Sequence, residues 1–424
     1  MSRLFLQVRS SIRFIVCVTR CFLKDFYESR QSVQSDKVAA LLEGLAQDNV
    51  KVVLVMTGGG TEAIASLFCG GGASRVMLEV VVPYAKKSLE SLLGGEQERS
   101  CSPGIARHLA MKAFCRAVTL ETPPQHAVGV GATASLRSTN PKRGTHRIHV
   151  AVQTLFATTT ATLELTKGVR LREEEERIAG QLILARLASS CTSGKNKNNF
   201  PAMPVDLSSE ETVTIDTTTA PLSWQLLVSG EQMIVDARSE AVLGAEKLSE
   251  AETRQRLIFP GSFNPLHEGH RQMASLASKI AGQPVEYEIS ITNVDKPTLD
   301  YSDLESRIVQ FDAVERVWLT RAEHFTEKVV LFPQSTFVLG ADTFMRLWDP
   351  CYYDGSTSKM SEAIAFIAEQ ISGFIVFGRE YKGSFCDPQS LSSPSSLLNK
   401  CRFVPEAEFR TDISSTVLRK YRDQ

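Results

Sequence analysis

Short apolar runs and helix-type spacings alternate along residues 35–190. Four apolar residues recur at the spacing of one helical face, namely Val38, Leu41, Leu42 and Leu45. The β-branched run 52–56 then leads into Thr57-Gly58-Gly59-Gly60, which predicts a buried strand, a glycine turn and a helix. Further strands are predicted at 76–82, 126–130, 146–152 and 155–165, and helices at 103–119 and 172–187. This pattern is typical of an α/β domain.

The last of these helices begins with four consecutive acidic residues, Glu173 to Glu176. A run of charges is usually a solvated face, and negative charge also suits the positive N-terminal end of a helix. The simplest interpretation of Glu173 to Glu176 is therefore a solvated face of the helix.

A second alternation begins at residue 256. Strands are predicted at 257–259, 286–291, 316–320, 336–339, 374–377 and 401–404, with helices between most of them. One helix is expected to start at Ser302, because Ser302 and Glu305 have the spacing of a capping box. Crossover spacing of this kind predicts a Rossmann-like, doubly wound parallel sheet, which binds ligands beyond the carboxyl ends of its strands.

The length of 424 residues agrees with more than one domain. We predict an α/β class with two α/β domains, at 35–190 and 256–424. Residues 191–210 contain Gly, Asn, Ser and Pro without periodicity, so they are predicted to form a linker. Residues 211–255 are too few for a core of their own and are assigned as an extension of the second domain.

Composition narrows the function classes. The chain has 47 basic and 48 acidic residues, a net charge of -1, so no overall attraction to nucleic acid or to an anionic membrane is expected. Its nine cysteines include no C-x-x-C pair, which favours reduced thiols in an intracellular protein over a disulfide framework or a zinc ribbon. Association into a homo-oligomer is compatible with the sequence.

Residues 1–34 differ from this average. Arg3, Arg9, Arg13, Arg20 and Lys24 precede the first acidic residue, Asp25. An arginine-rich segment without acids is typical of a mitochondrial presequence, but it also fits a basic tail or an incorrectly chosen start codon. A cytoplasmic location is expected, with a mitochondrial one as the alternative.

The strongest chemical signal is the segment 261–270, GSFNPLHEGH, between the first strand and first helix of the second domain. Gly261 permits close approach of the backbone to a phosphate. His267 and His270 are three residues apart at the helix start, where they can face an anion held by free N–H groups. Metal binding by this H-x-x-H pair is the weaker alternative, because no third ligand of matching type is nearby.

This segment matches the signature G-x-F-x-P-x-H-x-G-H of the nucleotidylyltransferase superfamily. The superfamily's I-S-S-T-x-x-R motif resembles residues 413–419 of this chain. Two segments between them, 338–342 (VLGAD) and 374–379 (FIVFGR), resemble nicotinamide-mononucleotide adenylyltransferases. The resemblance covers about residues 256–424. It implies catalytic roles for His267, His270 and Arg419. The binding residues it implies, together with the Asn293 to Lys296 loop, are Gly261, Ser262, Phe263, Asn264, Asn293, Lys296, Gly340, Asp342, Arg379, Ser414, Ser415 and Thr416.

The implied activity is transfer of AMP from ATP to nicotinamide mononucleotide, with release of pyrophosphate. An acceptor phosphate is already largely ionised at neutral pH, so the site needs positive charge and hydrogen-bond donors, not a protein base. A Mg²⁺ ion bound through the triphosphate would complete the neutralisation, and no metal site made by the protein is expected. Cytidylyl transfer, another phosphate-bearing acceptor, or a nucleotide-binding regulatory protein without turnover remain alternatives.

The first domain resembles the C-terminal domain of CinA, a bacterial nicotinamide-mononucleotide deamidase, over about residues 35–190. The resemblance rests on Thr57-Gly58-Gly59, on 79–84 and on 141–145. Where that family has a nucleophilic serine this chain has Val55, and where it has a lysine this chain has Leu89. Amide hydrolysis needs an activated hydroxyl and a base, so deamidase activity is expected to be lost. Thr57 or Ser66 as a substitute nucleophile is the less favoured alternative.

Overall fold

The computed structural model describes residues 35–69, 71–97, 99–120, 122–140, 142–190, 202–239, 255–293, 297–381, 384–386, 395–410 and 418. The chain forms two compact units. The first ends at residue 216, and the second consists of residues 217–424 together with the short segments 93–95 and 155–158. Each unit has an α/β architecture, as the sequence predicts.

The first unit is built on a six-stranded sheet of order β2-β1-β3-β4-β5-β6. Its strands are β1 (Lys51–Thr57), β2 (Met77–Val81), β3 (Ala127–Ser135), β4 (His146–Gln153), β5 (Ala157–Leu165) and β6 (Val213–Thr219). β1 pairs in parallel with both β2 and β3, whereas β3 and β4 are antiparallel. The sheet is therefore mixed, with its parallel part around the buried strand β1.

Five helices belong to this unit: α1 (residues 35–47), α2 (Thr61–Cys69), α3 (Lys86–Leu93), α4 (Pro103–Thr119) and α5 (Arg172–Ser190). The apolar face of α1 and much of α5 are buried against the sheet in one large core. Gly129 of β3 lets α4 approach the strand closely, since a Cβ at that position would lie 2.1 Å from Ala110 O. The predicted helices of this domain are thus confirmed.

The second unit contains a seven-stranded sheet of order β15-β12-β11-β8-β9-β10-β7. The strands are β7 (Ile234–Asp236), β8 (Leu257–Pro260), β9 (Val285–Ser290), β10 (Val317–Thr320), β11 (Thr336–Gly340), β12 (Gly373–Phe377) and β15 (Cys401–Val404). Only the edge strand β7 is antiparallel to its neighbour; the other six are parallel. Those six have the 3-2-1-4-5-6 order of a doubly wound sheet, which reverses between β8 and β11.

The helices of the second unit are α6 (Leu222–Ser229), α7 (Glu268–Ala281), α8 (Tyr301–Ile308), α9 (Phe325–Leu331), α10 (Ala341–Met345), α11 (Thr357–Gln370) and α12 (Ser395–Leu398). A separate two-stranded ribbon joins β13 (Arg379–Tyr381) to β14 (Ser384–Cys386). Within the described ranges, none of the chain's helices is both long enough and apolar enough to cross a membrane.

The structure differs from the sequence prediction between the two units. Met203, Val205 and Leu207, in the predicted linker, pack against the core of the first unit. β6, in the predicted extension of the second domain, is instead the edge strand of the first sheet, whereas α6 and β7 do belong to the second unit. Residues 191–201 and 240–254 lie outside the described residues.

An ion pair ties the start of this segment to the first unit. Glu211, 1% exposed at its side chain, accepts hydrogen bonds from the Arg170 guanidinium at 2.6 and 2.7 Å. Burial alone would raise the pKa of Glu211, but Arg170 and the N–H groups of Ser208 and Thr166 outweigh it and hold the pKa at about 2. Glu211 is thus a charged, fully bonded carboxylate.

Candidate active site

The candidate site of the second unit lies where its strand order reverses. The loop 261–267 follows β8, and Gly340 and Asp342 stand at the end of β11 and in the first turn of α10. Asn293 follows β9, and β13, which starts at Arg379, follows β12. Because these four strands are parallel neighbours, their carboxyl ends share one edge of the sheet. This is the crevice in which doubly wound sheets bind ligands.

Gly261 and Phe263 give the loop its shape. Phe263 has a positive φ of 43° and is only 1% exposed. Its ring lies under Gly261 so closely that a Cβ at that position would be 2.6 Å from Phe263 Cζ. Phe259, Phe311 and Tyr287 surround the ring, with centroids 5.3–5.4 Å away. The aromatic residue of the motif is therefore an anchor for the loop, and Ser262 beside it is exposed.

Two residues at the end of α8 hold the loop from the other side. Gln310 accepts a hydrogen bond from the Leu266 N–H at 2.8 Å and donates one to the Phe263 carbonyl at 3.2 Å. The largely buried Arg307 donates to the Ser262 carbonyl at 3.1 Å. Neither residue could be predicted from the sequence, because their contacts span more than 40 positions and leave no local motif.

The two motif histidines stack at the N-terminus of α7. Their ring centroids are 3.7 Å apart at an interplanar angle of 22°. The His267 N–H donates to His270 Nδ1 at 3.3 Å, so the proton of a neutral His270 ring belongs on Nε2. Edge-to-face contact with Phe263, at 5.1 Å, fixes the ring further. His270 is thereby prepared as an Nε2–H donor.

The backbone at this helix start is also available. Glu268 and Gly269 are the first two residues of α7, and their N–H groups precede the helical hydrogen-bond pattern. Among the residues that the structure describes, no side chain accepts a hydrogen bond from either group. Together with His270, they can receive an anion as helix N-termini do.

Asp342 folds back over the end of β11. A Cβ at Gly340 would lie 2.7 Å from Asp342 Oδ1, so only glycine leaves room for the carboxylate in this position. Asn293 is exposed and Asn264 half-buried at the same edge. The structure therefore brings seven of the predicted binding residues to one end of the sheet: Gly261, Ser262, Phe263, Asn264, Asn293, Gly340 and Asp342.

The remaining predicted site residues are not placed. Lys296, Ser414, Ser415, Thr416 and Arg419 lie outside the described residues, and for Arg379 only the backbone is described. Their roles stay predictions. The positive charge expected around the triphosphate depends on them.

The glycine turn of the first unit is built differently. Glu176 Oε1 accepts hydrogen bonds from the N–H groups of Gly60 and Thr61, each at 2.7 Å, and from the Thr61 hydroxyl at 2.8 Å. Gly58 has a φ of 81°, and a Cβ there would lie 2.0 Å from Ala134 O. The turn is tight, as predicted, but the N-terminus of α2 is already occupied by a carboxylate of the same chain.

The positions that distinguish this unit from a deamidase are buried. Val55 and Leu89 are each 2% exposed. The Thr57 hydroxyl donates to the Pro83 carbonyl at 2.9 Å, and Lys86 pairs with Glu90 and Glu96. Thr57 thus donates its proton to a carbonyl, which is not a base. Ser66 is half-buried within α2, beyond the glycine turn.

Comparison with known proteins supports a nucleotidyltransferase-type domain at the C-terminus. The family model of cytidylyltransferase-like domains matches residues 258–421. This range contains the loop, the stacked histidines and the strand-order reversal described above. No curated protein matches the chain.

Solved structures similar to the N-terminal region are CinA-superfamily proteins. A CinA superfamily protein from Escherichia coli is 17% identical, with 36% of this chain and 88% of that chain covered and a TM-score of 0.30. A competence/damage inducible protein from Agrobacterium tumefaciens is 17% identical, with 36% and 94% covered and a TM-score of 0.30. A competence or damage-inducible protein from Enterobacter asburiae is 13% identical, with 37% and 97% covered and a TM-score of 0.31.

Proposed function

We propose that the second unit transfers AMP from ATP to nicotinamide mononucleotide and releases pyrophosphate. The observation that carries the proposal is the stacked pair His267 and His270 at the start of α7, held at the strand-order reversal by a rigid glycine–phenylalanine loop. The nucleotidyltransferase class has the support of the family match. The choice of acceptor rests on the likeness of segments 338–342 and 374–379 to nicotinamide-mononucleotide adenylyltransferases.

The reaction needs no protein base. An oxygen of the acceptor phosphate forms a bond to the α-phosphorus of ATP, and the bond from that phosphorus to the bridging oxygen breaks. Pyrophosphate leaves with the electron pair, and charge develops on the phosphate oxygens. His270 Nε2–H and the N–H groups of Glu268 and Gly269 donate to these oxygens, while Lys296 and Arg419 supply positive charge.

Magnesium bound through the triphosphate would neutralise further charge, and the site fits such an ion better than a protein-built metal cage. The two motif histidines stack on each other, and His270 Nδ1 accepts a backbone hydrogen bond, so that nitrogen is not available to a metal. We assign Asp342 a single role, contact with the ribose or the nicotinamide group of the substrate.

Pyrophosphate release from the purified full-length protein tests the proposal. ATP and CTP would each be offered, in the presence of Mg²⁺, with nicotinamide mononucleotide, with other phosphate monoesters and with no acceptor. We expect release with ATP and nicotinamide mononucleotide, with NAD formed in equal amount. Release only with CTP, or only with another acceptor, would reject the proposed substrates and keep the reaction class. Tight ATP binding without release under any condition would favour the regulatory alternative.

A further inference from the structure

A second candidate binding site lies in the first unit, beside the glycine turn, whose own pocket shares Arg172 and Glu173 with it. A cavity of about 750 Å³ opens beside the β3–β4 connection and the start of α5. Its wall includes four cationic side chains and one histidine, namely Arg137, Lys142, Lys167, Arg172 and His146. Among the described residues that line it, Glu173 is the only acidic one. The volume is in the range of cavities that hold small molecules.

Most of this positive charge is not neutralised. Lys167 Nζ donates to the carbonyls of Lys142 and Arg143, both at 3.0 Å, and Arg137 donates to the Arg170 carbonyl at 2.6 Å. Within the described part of the chain, Lys142 approaches only the Ser135 hydroxyl, at 3.5 Å. Among the described residues, no carboxylate lies within ion-pair distance of Arg137, Lys142 or Lys167. Hydrogen bonds to carbonyls position these cations but leave their charge directed at the cavity.

His146 adds a hydrogen-bonding ring to the wall of the cavity. Its Nδ1 lies 2.7 Å from Glu175 Oε1, and the two side chains are 8% and 0% exposed. Glu175 also accepts the Arg137 N–H at 2.6 Å, so it acts as an acceptor and the histidine as the donor. The buried Glu175 carboxylate therefore fixes the orientation of the His146 ring through this hydrogen bond.

We propose that this cavity binds the phosphate group of a small molecule. Three un-neutralised cations and a carboxylate-backed histidine favour a ligand with at least two negative charges, which phosphate provides and a single carboxylate does not. Inorganic pyrophosphate and a phosphorylated metabolite share this chemistry. The proposal does not depend on the reaction of the second unit, and it differs from anion binding at the glycine turn.

Histidine-selective isotope labelling of the full-length protein provides a local readout. The chain has seven histidines, so each ring signal can be assigned by single substitution. Titration with inorganic pyrophosphate, and separately with ribose 5-phosphate, should move the His146 signal along a saturable curve. His149 is an internal control, because burial, followed by the nearby Arg147, lowers its pKa to about 4. It stays neutral near pH 7, and its signal should not move.

Lys142 and Lys112 form a matched pair of variants. Both side chains are exposed, but Lys112 lies on α4 and does not line the cavity. Lys142→Gln should weaken binding at the His146 signal about tenfold, the effect of losing one charge-assisted contact. Lys112→Gln should leave it unchanged. The ligand that binds more tightly identifies the source of the phosphate group.

Two outcomes would overturn the proposal. One is a His146 signal that stays still at millimolar concentrations of both ligands. The other is equal weakening by Lys142→Gln and Lys112→Gln, which would indicate general charge attraction. The signals of His267 and His270 report on the second unit in the same titration, so failure of either site is distinguished from failure of the other.

Discussion

The two units share a local design, a buried strand followed by a glycine-containing turn and a helix, but use it in opposite ways. At α2 the N–H groups of Gly60 and Thr61 are taken by Glu176. At α7 the N–H groups of Glu268 and Gly269 have no such acceptor among the described residues, and His270 stands beside them. The same local arrangement is thus capped by a carboxylate in the first unit and is a candidate anion-binding site in the second.

The difference comes from one distant side chain. Glu176 is 116 positions from Gly60 along the chain, yet its carboxylate occupies the place that a phosphate would need. A negative charge already present repels another anion and satisfies the donors that would attract it. A strand–glycine–helix pattern therefore predicts a site that can bind an anion. Whether a side chain of the same protein already occupies that site depends on the neighbouring helix.

The largest effect on activity is expected from a substitution at the N-terminus of α7. His270→Ala should lower kcat about 10²- to 10³-fold, because it removes one donor to charge that develops in the transition state. Pyrophosphate release under saturating substrates measures it. The matched control is His126→Ala, a histidine of the first unit, which should retain full turnover. Normal turnover of the His270 variant would show that this residue does not contact the phosphates. It would then no longer distinguish the N-terminus of α7 from that of α2.

A smaller effect is expected from the residue that frames the loop. Gln310→Ala removes the hydrogen bonds to Leu266 and Phe263, which lets the loop relax from its binding shape. We expect kcat/KM to fall about tenfold, the scale of one or two net hydrogen bonds. Gln272→Ala is the control, since among the described residues that exposed amide hydrogen-bonds only to Glu268, on α7 itself. Equal kcat/KM in both variants would show that the loop holds its shape without Gln310.

The smallest effect concerns the closed helix start. Glu176→Ala should destabilise the first unit by about 1 kcal/mol, as loss of a helix cap does, and lower its melting temperature by about 2–4 °C. Added inorganic phosphate should then stabilise this variant more than the unmodified protein, because the vacated donors become an anion site. Glu164→Ala, which removes an exposed carboxylate of the first unit that lines neither the glycine turn nor the proposed phosphate cavity, should change neither quantity. A phosphate effect of the same size in all three proteins would contradict the comparison.

Much of the fold follows from local pattern. Runs of apolar residues predicted the buried strands of both sheets, and the position of the G-x-F-x-P-x-H-x-G-H segment between strand and helix is confirmed. Small deviations have local causes. The helix predicted to start at Ser302 starts at Tyr301, because Asp300 is the cap and accepts the Asp303 N–H at 2.9 Å. Asp is as good an N-cap as Ser, so the choice between neighbours could not be made from sequence.

The acidic run shows what the sequence alone missed. The prediction that Glu173 to Glu176 form one solvated face is wrong for two of them, since Glu175 is fully buried and Glu176 caps α2. Successive helical residues are about 100° apart, so four in a row cannot all point outward. This helical spacing indicates that some of the four must point inward. The partners of Glu175 and Glu176, which are His146 and Gly60, follow only from the tertiary structure.

The edge strand β6 has a consequence for how the protein is made. A ribosome adds residues 35–190 before it reaches Val213–Thr219, yet the first sheet includes that strand and Arg170 pairs with Glu211 just before it. A nascent or truncated chain that stops near residue 195 therefore leaves a sheet edge uncovered and a largely buried guanidinium without its carboxylate. Synthesis must therefore continue past Thr219, where the second unit has already begun, before the first unit can complete its sheet.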